Sequence, residues 1–170
     1  MANLRICTYP DPVLRQRAAE VTAIDREICR LIDDMAETMY KAPGIGLAAN
    51  QIGKPLRILV IDIQKPDHEQ GLIVLVNPQI VGAQGETTFE EGCLSVPEFF
   101  SNVKRFEEVT VRGFDKNEKA VEITANGLLA VALQHEIDHL EGRLFIDRIG
   151  PVARDVFKRK WKKKLRDQKE

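Results

Sequence analysis

Two histidines four positions apart, with a glutamate directly after the first, are the residues of this chain best suited to chemistry. His135, Glu136 and His139 lie in the stretch LQHEIDHLEG, and the chain has only three histidines. On an α-helix, residues four apart share one face, so both imidazoles can bind one metal ion. Glu136 would project beside the metal, where a general base can act on water that the metal activates. The alternative is an ordinary helix whose histidines are only hydrogen-bonded.

A helical pair supplies two ligands, whereas a catalytic zinc-type site normally has three protein ligands and an open position. Cys93 in EEGCLSVP follows a glycine and precedes a strand-like segment that we expect to end at Pro97. Its thiol would therefore sit on a constrained backbone. The alternative is a buried core cysteine, the role that we assign to Cys7 and Cys29. We expect His68, in the polar loop KPDHEQG, to be solvated rather than a ligand.

A third stretch, GIGLAANQ at residues 44–51, is suited to substrate contact. Its glycines permit close approach of a ligand to the backbone, and the small Ala48 and Ala49 leave room beneath. The amide of Gln51 can donate to an oxyanion. Taken alone, this loop is equally typical of an ordinary turn, because glycine-rich turns are common.

The elements that must position these residues follow from hydrophobic periodicity. Residues 25–41 are predicted to form an amphipathic helix with Asp25 as its N-cap, ended by Pro43. The runs LRILVIDI and GLIVLVNP are predicted to be buried strands, the second stopped by Asn77 and Pro78.

The second half of the chain is predicted to hold a hairpin and a buried helix. Residues 106–115 and 120–125 alternate between apolar and polar side chains, with a turn at FDKNEKA between them. Residues 127–141 form a helix that is apolar nearly all round, with Asn126 as cap and Gly142 after its end. Because strands cluster between helices without βαβ alternation, the predicted class is α+β. Mostly antiparallel sheets would pack around the central HExxH helix, with N- and C-terminal helices.

Composition and length indicate a globular protein of one domain. The chain has 170 residues, of which 44% are hydrophobic and 30% charged, enough to bury a core. The stretch MANLRICTYPDP lacks the apolar run of a secretory signal, and no segment approaches the ~18 apolar residues of a membrane span. Three widely spaced cysteines argue against a disulfide framework. We therefore expect a cytoplasmic protein with neither a membrane nor DNA as partner.

Together, the three stretches resemble the signatures of the peptide deformylases. The signatures are GIGLAANQ (Gly44–Gln51), EGCLS (Glu91–Ser95) and QHEIDHLEG (Gln134–Gly142), in the family's order and separation. The resemblance extends from about Ile6 to about Ile149. HExxH alone occurs in several metallopeptidase families, so three matched motifs are far more specific.

The resemblance implies a role for each matched residue. The metal ligands would be Cys93, His135 and His139. Glu136 would be the catalytic acid and base, while the Gln51 amide and the Leu94 backbone N–H would hold the developing oxyanion. The substrate backbone would pair in strand-like fashion with Gly46 and its neighbours Ile45 and Leu47. The methionine pocket maps to Ile45, Phe89, Leu128, Val131, Ala132 and the ring of His135.

The implied reaction is removal of the formyl group from the N-terminal formylmethionine of nascent polypeptides, which releases formate. It would use one divalent metal ion, Fe²⁺ being the ion for which the family is known, with Zn²⁺, Ni²⁺ or Co²⁺ able to replace it. Glu91 and Arg105 are candidate supports for a ligand imidazole, although Arg105 is equally typical of a surface strand. Asp138 is predicted to be a structural hydrogen-bonder.

One segment departs from the family pattern. Many relatives carry an arginine shortly after EGCLSxPE, where a substrate carbonyl can be met, whereas EFFSN here places Phe99 and Phe100. We expect altered substrate contacts beyond the methionine side chain, without loss of the chemistry.

Charge is distributed unevenly along the chain. Residues 151–170 hold nine Lys/Arg and three Asp/Glu, a balance of +6, so a net charge of −1 leaves −7 for the other 150 residues. We expect residues 1–150 to form the catalytic domain and 151–170 a basic C-terminal helix of the same domain. The basic side chains of such a helix are usually exposed to solvent. The alternative is that the helix contacts ribosomal RNA near the site where the nascent substrate emerges from the ribosome.

Two other functions stay open at this point. A general HExxH metalloendopeptidase would share His135, Glu136 and His139, but it usually takes a carboxylate or a third histidine as the remaining ligand. A non-catalytic metal-binding module would need a closed site with four ligands, and the sequence offers no fourth ligand at a suitable spacing.

Overall fold

Three α-helices and seven β-strands make up the fold in the computed structural model, which describes residues 4–64 and 71–169. The helices are α1 (Arg26–Lys41), α2 (Gly127–Leu140) and α3 (Pro151–Lys169). The strands are β1 (Gly46–Ala48), β2 (Ile58–Ile61), β3 (Ile73–Gln84), β4 (Thr87–Cys93), β5 (Val96–Arg105), β6 (Glu108–Phe114) and β7 (Ala120–Asn126). A five-stranded antiparallel sheet has the order β1-β2-β3-β6-β7, and β4 pairs with β5 in a separate hairpin. The predicted α+β class with antiparallel sheets is confirmed.

Helix α1 forms as predicted. The side chain of Asp25 accepts a hydrogen bond of 2.9 Å from the backbone N–H of Ile28, which satisfies one free donor of the first turn. On its apolar face Met35 and Met39 are fully buried in a core cluster that also contains Ile58 and Val60 of β2. The helix therefore anchors one side of the sheet.

Strand β3 does not stop at Asn77 and Pro78, so that prediction is wrong. The strand continues to Gln84, and its pairing with β6 shifts register between Val76 and Gln79. A bulge at this point accommodates Pro78, which has no backbone N–H to donate. Asn77 adopts a φ of +54°, and its side-chain amide makes hydrogen bonds of 2.8 and 2.9 Å with the backbone of Val21.

The hairpin of β4 and β5 corrects the prediction for the segment around Cys93. Cys93 ends one strand and pairs with Val96, which begins the next, while Leu94 and Ser95 form the turn between them. The strand then continues through Pro97 instead of ending there. Cys93 therefore lies at the tip of a tight hairpin.

The second hairpin, β6 and β7, and helix α2 form close to the predicted positions. Every residue of α2 from Leu129 to Leu140 is buried, as its nearly uniform apolar character predicted. Asn126 occupies the N-cap position, but its side chain makes no capping hydrogen bond. Gly142 follows the helix with a φ of +76°, a conformation that favours glycine.

Helix α3 attaches to the hairpin of β4 and β5 through aromatic contacts. The ring of Phe157 lies 5.0 Å from that of Phe99 and 5.2 Å from that of Tyr9, centroid to centroid, and Trp161 contacts Tyr9 at 5.2 Å. Most of the basic side chains of α3 remain exposed. Within residues 4–64 and 71–169, no helix has the length and apolar character needed to cross a membrane.

Candidate metal centre

The structure brings together the three residues predicted to bind a metal. The Cys93 Sγ atom lies 3.4 Å from His139 Nε2, which lies 3.2 Å from His135 Nε2, and one ligand atom from each residue falls within 4.8 Å of the others. A tetrahedral ion with ordinary ligand distances requires N···N separations of about 3.3 Å and S···N separations of about 3.6 Å. The donor set and its spacing thus fit one divalent metal ion. His68 lies outside the described residues.

Glu136 lies beside this cluster and is buried. The residue is only 5% exposed, and its Oε2 atom has no hydrogen-bond partner among the described residues. Burial raises the pKa of the carboxyl group to about 7. A carboxylate with a free oxygen and a pKa near neutrality is suited to taking and returning a proton.

Gly46 makes room for that carboxylate. A Cβ atom at position 46 would stand 2.6 Å from Glu136 Oε1, closer than two such atoms can approach. The absence of a side chain therefore serves Glu136 as well as the approach of a ligand. Ala48 and Ala49 are fully buried in the hydrophobic core, where their small side chains serve packing rather than leaving room beneath a ligand.

A buried ion pair supports one of the two imidazoles. His135 Nδ1 lies 2.8 Å from Glu91 Oε1, and Arg105 donates two hydrogen bonds of 2.7 and 2.8 Å to the same carboxylate. Burial alone would raise the pKa of Glu91, but Arg105 and His135 lower it below its ordinary value. The expected support by Glu91 and Arg105 is confirmed, and Arg105 is buried rather than on the surface. His139 Nδ1, in contrast, is buried with no hydrogen-bond partner in the described part of the chain.

Asp138 extends this network toward the C-terminal helix. It accepts a hydrogen bond of 2.7 Å from Arg105, and Arg148 donates two more of 2.6 and 2.8 Å. The prediction of a structural hydrogen-bonder is therefore confirmed. Sequence reasoning missed Arg148, and the available signal was a charged pair, Asp147 and Arg148, between the apolar residues Ile146 and Ile149.

The side chain of Gln51 is held in one orientation. Its Oε1 atom accepts from the Ala48 backbone N–H at 2.9 Å, and its Nε2 atom donates to Ser95 Oγ at 3.0 Å. The Nε2 atom also lies 3.7 Å from Cys93 Sγ. Ser95, which sequence reasoning missed, is fully buried, and its backbone N–H lies 3.4 Å from the same sulfur. Leu94 follows Cys93 directly, in the turn beside these groups.

A cavity of about 700 Å³ opens onto the centre. All residues predicted for the methionine pocket line it, namely Ile45, Phe89, Leu128, Val131, Ala132 and His135. Leu47 does not line the cavity, because its side chain is fully buried in the core with Ile58 and Val60. Strand β1, which contains Gly46 and Leu47, lies at the edge of the five-stranded sheet and, among the described residues, pairs with β2 alone. Its free edge can accept an extended peptide by β-augmentation.

Comparison with known proteins gives concordant matches over nearly the whole chain. The family model described as polypeptide deformylase matches residues 3–155. A peptide deformylase from Syntrophobacter fumaroxidans is 69% identical over 167 residues, which cover 98% of this chain and 98% of that protein.

Solved structures agree with this result. A peptide deformylase from Legionella pneumophila superposes with a TM-score of 0.91 at 48% identity, covering 99% of each chain. One from Ehrlichia chaffeensis gives a TM-score of 0.88 at 38% identity, covering 96% of this chain and 97% of its own. The residues matched by the family model include Gln51, Cys93, His135, Glu136 and His139.

Proposed function

Because the chain belongs to the polypeptide deformylase family, it is a hydrolase that removes the formyl group from nascent peptides, and we propose that the centre around Cys93 carries out this reaction. The observation that supports this assignment is the convergence of Cys93, His135 and His139 beside the unpartnered carboxylate of Glu136. Peptide deformylation, rather than general endopeptidase activity, is the function that the family assignment supports.

The family is metal-dependent, and Cys93, His135 and His139 would hold the ion. We propose Fe²⁺ as the native ion, as the resemblance implies, with Zn²⁺, Ni²⁺ or Co²⁺ able to replace it; a soft thiolate with two imidazoles suits these metals. When bound, the ion supplies Lewis-acid activation of water and of the formyl oxygen.

Glu136 moves the proton in this proposal. Its carboxylate accepts a proton as water attacks the formyl carbon, and it holds that proton at an oxygen shielded from solvent. The C–N bond then breaks, and Glu136 gives the proton to the departing amine, so the products are formate and a free N-terminus. A pKa of about 7 suits both transfers.

Gln51 and Leu94 stabilise the charge that builds on the formyl oxygen. The Gln51 amide is fixed by Ala48 and Ser95, so no reorientation is required when that charge develops. The Leu94 backbone N–H is the second donor. The substrate backbone pairs with the free edge of β1 at Ile45, Gly46 and Leu47. Its methionine side chain enters the cavity between Ile45, Phe89, Leu128, Val131, Ala132 and the ring of His135.

Formate release from formyl-Met-Ala-Ser by protein purified without oxygen tests the assignment, with metal content measured on the same sample. We expect about one divalent ion per chain, loss of activity after chelation, and recovery on addition of Fe²⁺ or Ni²⁺. The iron form should lose activity in air because Fe²⁺ and the Cys93 thiol both oxidise. Absence of formate from the metal-loaded protein, or cleavage of internal bonds in an unstructured protein, would contradict the proposal.

The basic C-terminal helix is proposed to dock on ribosomal RNA, which places the enzyme in the cytoplasm beside its nascent substrate. Its Lys and Arg side chains give residues 151–170 a charge of +6 against an acidic remainder. Deletion of α3 would also remove Phe157 from the core and so disturb the fold. Charge reversal of three exposed residues, Lys162, Lys163 and Arg166, is therefore the more specific test of docking.

We expect this triple reversal to weaken co-sedimentation with ribosomes at low salt, while hydrolysis of formyl-Met-Ala-Ser is unchanged. Reversal of the exposed Lys54, Lys104 and Lys119, which lie outside α3, is the matched control for net charge. Equal sedimentation of both triple variants would rule out docking through α3.

A further inference from the structure

Two adjacent aromatic residues of β5, Phe99 and Phe100, occupy opposite environments. Side chains alternate along β5, so Phe99 is 6% exposed and packs against Phe145 and Phe157. Phe100 points the other way and is 65% exposed, more than any other aromatic residue of the chain. An exposed aromatic ring next to a substrate cavity is a candidate for ligand contact.

The ring of Phe100 is held in place by the neighbouring strand. A Cβ atom at Gly92 would stand 2.5 Å from Phe100 Cε1 and 2.6 Å from Cδ1, so the ring packs against the glycine backbone and occupies the space that a side chain there would need. Gly92 directly precedes Cys93, which places this apolar surface next to the metal centre. The ring therefore rests on Gly92 and leaves most of its surface open toward the cavity and solvent.

The volume of the cavity that Phe100 lines, and the charges of the residues around it, indicate which substrates it can accept. A volume of about 700 Å³ falls within the range that encloses drug-sized ligands, so it admits residues beyond the methionine. Among the described residues, no Lys or Arg lines it, whereas Glu90 and Glu98 do. Glu98 lies 3.8 Å from Lys164, which offsets its charge, and Glu90 has no ion pair in the described part of the chain.

We propose that Phe100 is a specificity-determining residue, which makes this enzyme prefer formyl-methionyl peptides with an aromatic or large apolar residue directly after methionine. This inference rests on the proposed function. An apolar side chain at that position gains contact with the Phe100 ring, and an acidic one meets Glu90 without a basic partner. Contacts between aromatic rings at such a site change kcat/KM by about 3- to 10-fold.

The test compares kcat/KM for formyl-Met-Phe-Ser, formyl-Met-Ala-Ser and formyl-Met-Glu-Ser with the metal-loaded enzyme. For the unmodified chain, we expect kcat/KM to be about 3- to 10-fold higher for formyl-Met-Phe-Ser than for formyl-Met-Ala-Ser. We expect formyl-Met-Glu-Ser to have the lowest kcat/KM of the three. Phe100→Ala should bring the Phe/Ala ratio close to one. Phe100→Arg should also raise kcat/KM for the Glu peptide relative to the Ala peptide.

Phe114→Ala is the matched control, because Phe114 is 42% exposed but does not line the cavity. It should leave all three ratios unchanged, and circular dichroism with the melting temperature checks that each variant is folded. A Phe/Ala ratio near one in the unmodified chain, or an unchanged ratio in Phe100→Ala, would overturn the inference about Phe100 alone. No formate from any of the three peptides would overturn the proposed function and this inference with it.

Discussion

Replacement of Glu136 by glutamine is expected to lower kcat for formyl-Met-Ala-Ser by about 10²–10⁴-fold while the bound metal is retained. Glutamine has nearly the same shape but cannot take up the proton that the proposed mechanism moves. Glu136 Oε2 has no hydrogen-bond partner among the described residues, so the substitution disturbs no contact of that atom. Measurement of kcat together with metal content separates the loss of the base from the loss of the ion.

Glu141→Gln is the matched control for this prediction. Glu141 lies directly after α2, is solvent-exposed, and pairs only with Arg17 and Arg57 in the described structure. We expect its kcat to stay within about 2-fold of the unmodified enzyme, since Glu141 does not line the cavity at the centre. Retention of high turnover in Glu136→Gln would show that another group moves the proton.

Replacement of Arg105 by methionine is expected to lower the free energy of unfolding by about 3–5 kcal/mol. Arg105 is 5% exposed and bridges two buried carboxylates, Glu91 and Asp138. Methionine fills similar space but leaves Glu91 without its cation, and removal of one partner of a buried pair leaves an uncompensated charge. Urea denaturation of the metal-free protein measures the effect independently of the ion.

The same substitution should weaken metal binding by about 10–100-fold, because Glu91 orients the His135 ring. Arg112→Met is the control: Arg112 lies on β6, in the other sheet, is exposed, and pairs with Glu122 on the surface. The exposed Arg112–Glu122 ion pair contributes about 0–1 kcal/mol to the free energy of unfolding. Equal destabilisation by the two substitutions would mean that the buried network does not support the centre.

The parts of the site that follow from local sequence could be predicted well. His135 and His139 converge because the helical repeat sets their spacing, and the apolar character of the surrounding residues already indicated that α2 is buried. The third metal ligand, Cys93, could not be predicted from local sequence in this way. No local rule brings Cys93 to two histidines more than forty residues away along the chain, so its role depended on resemblance to a family.

The errors came from long-range structure. A proline normally ends a strand, but at Pro78 a bulge in the pairing with β6 allows β3 to continue. Arg148 joins the centre only because the chain turns back after α2 and places its guanidinium against Asp138. Both Phe99 and Phe100 were named as the segment expected to alter substrate contacts, yet the two-residue period of a strand sends Phe99 into the core and Phe100 toward solvent.

The hairpin of β4 and β5 has a consequence for how such enzymes diversify. Within seventeen residues, from Phe89 to Arg105, it carries the sulfur ligand, the Glu91–Arg105 support and the Phe100 face, while α2 carries the imidazoles and the base. Within residues 4–64 and 71–169, the hairpin forms a sheet of its own and shares no strand pairing with the other five strands. Exchange of this one segment between relatives is therefore expected to transfer the preference for the residue after methionine, while the proton-handling helix of the recipient stays intact.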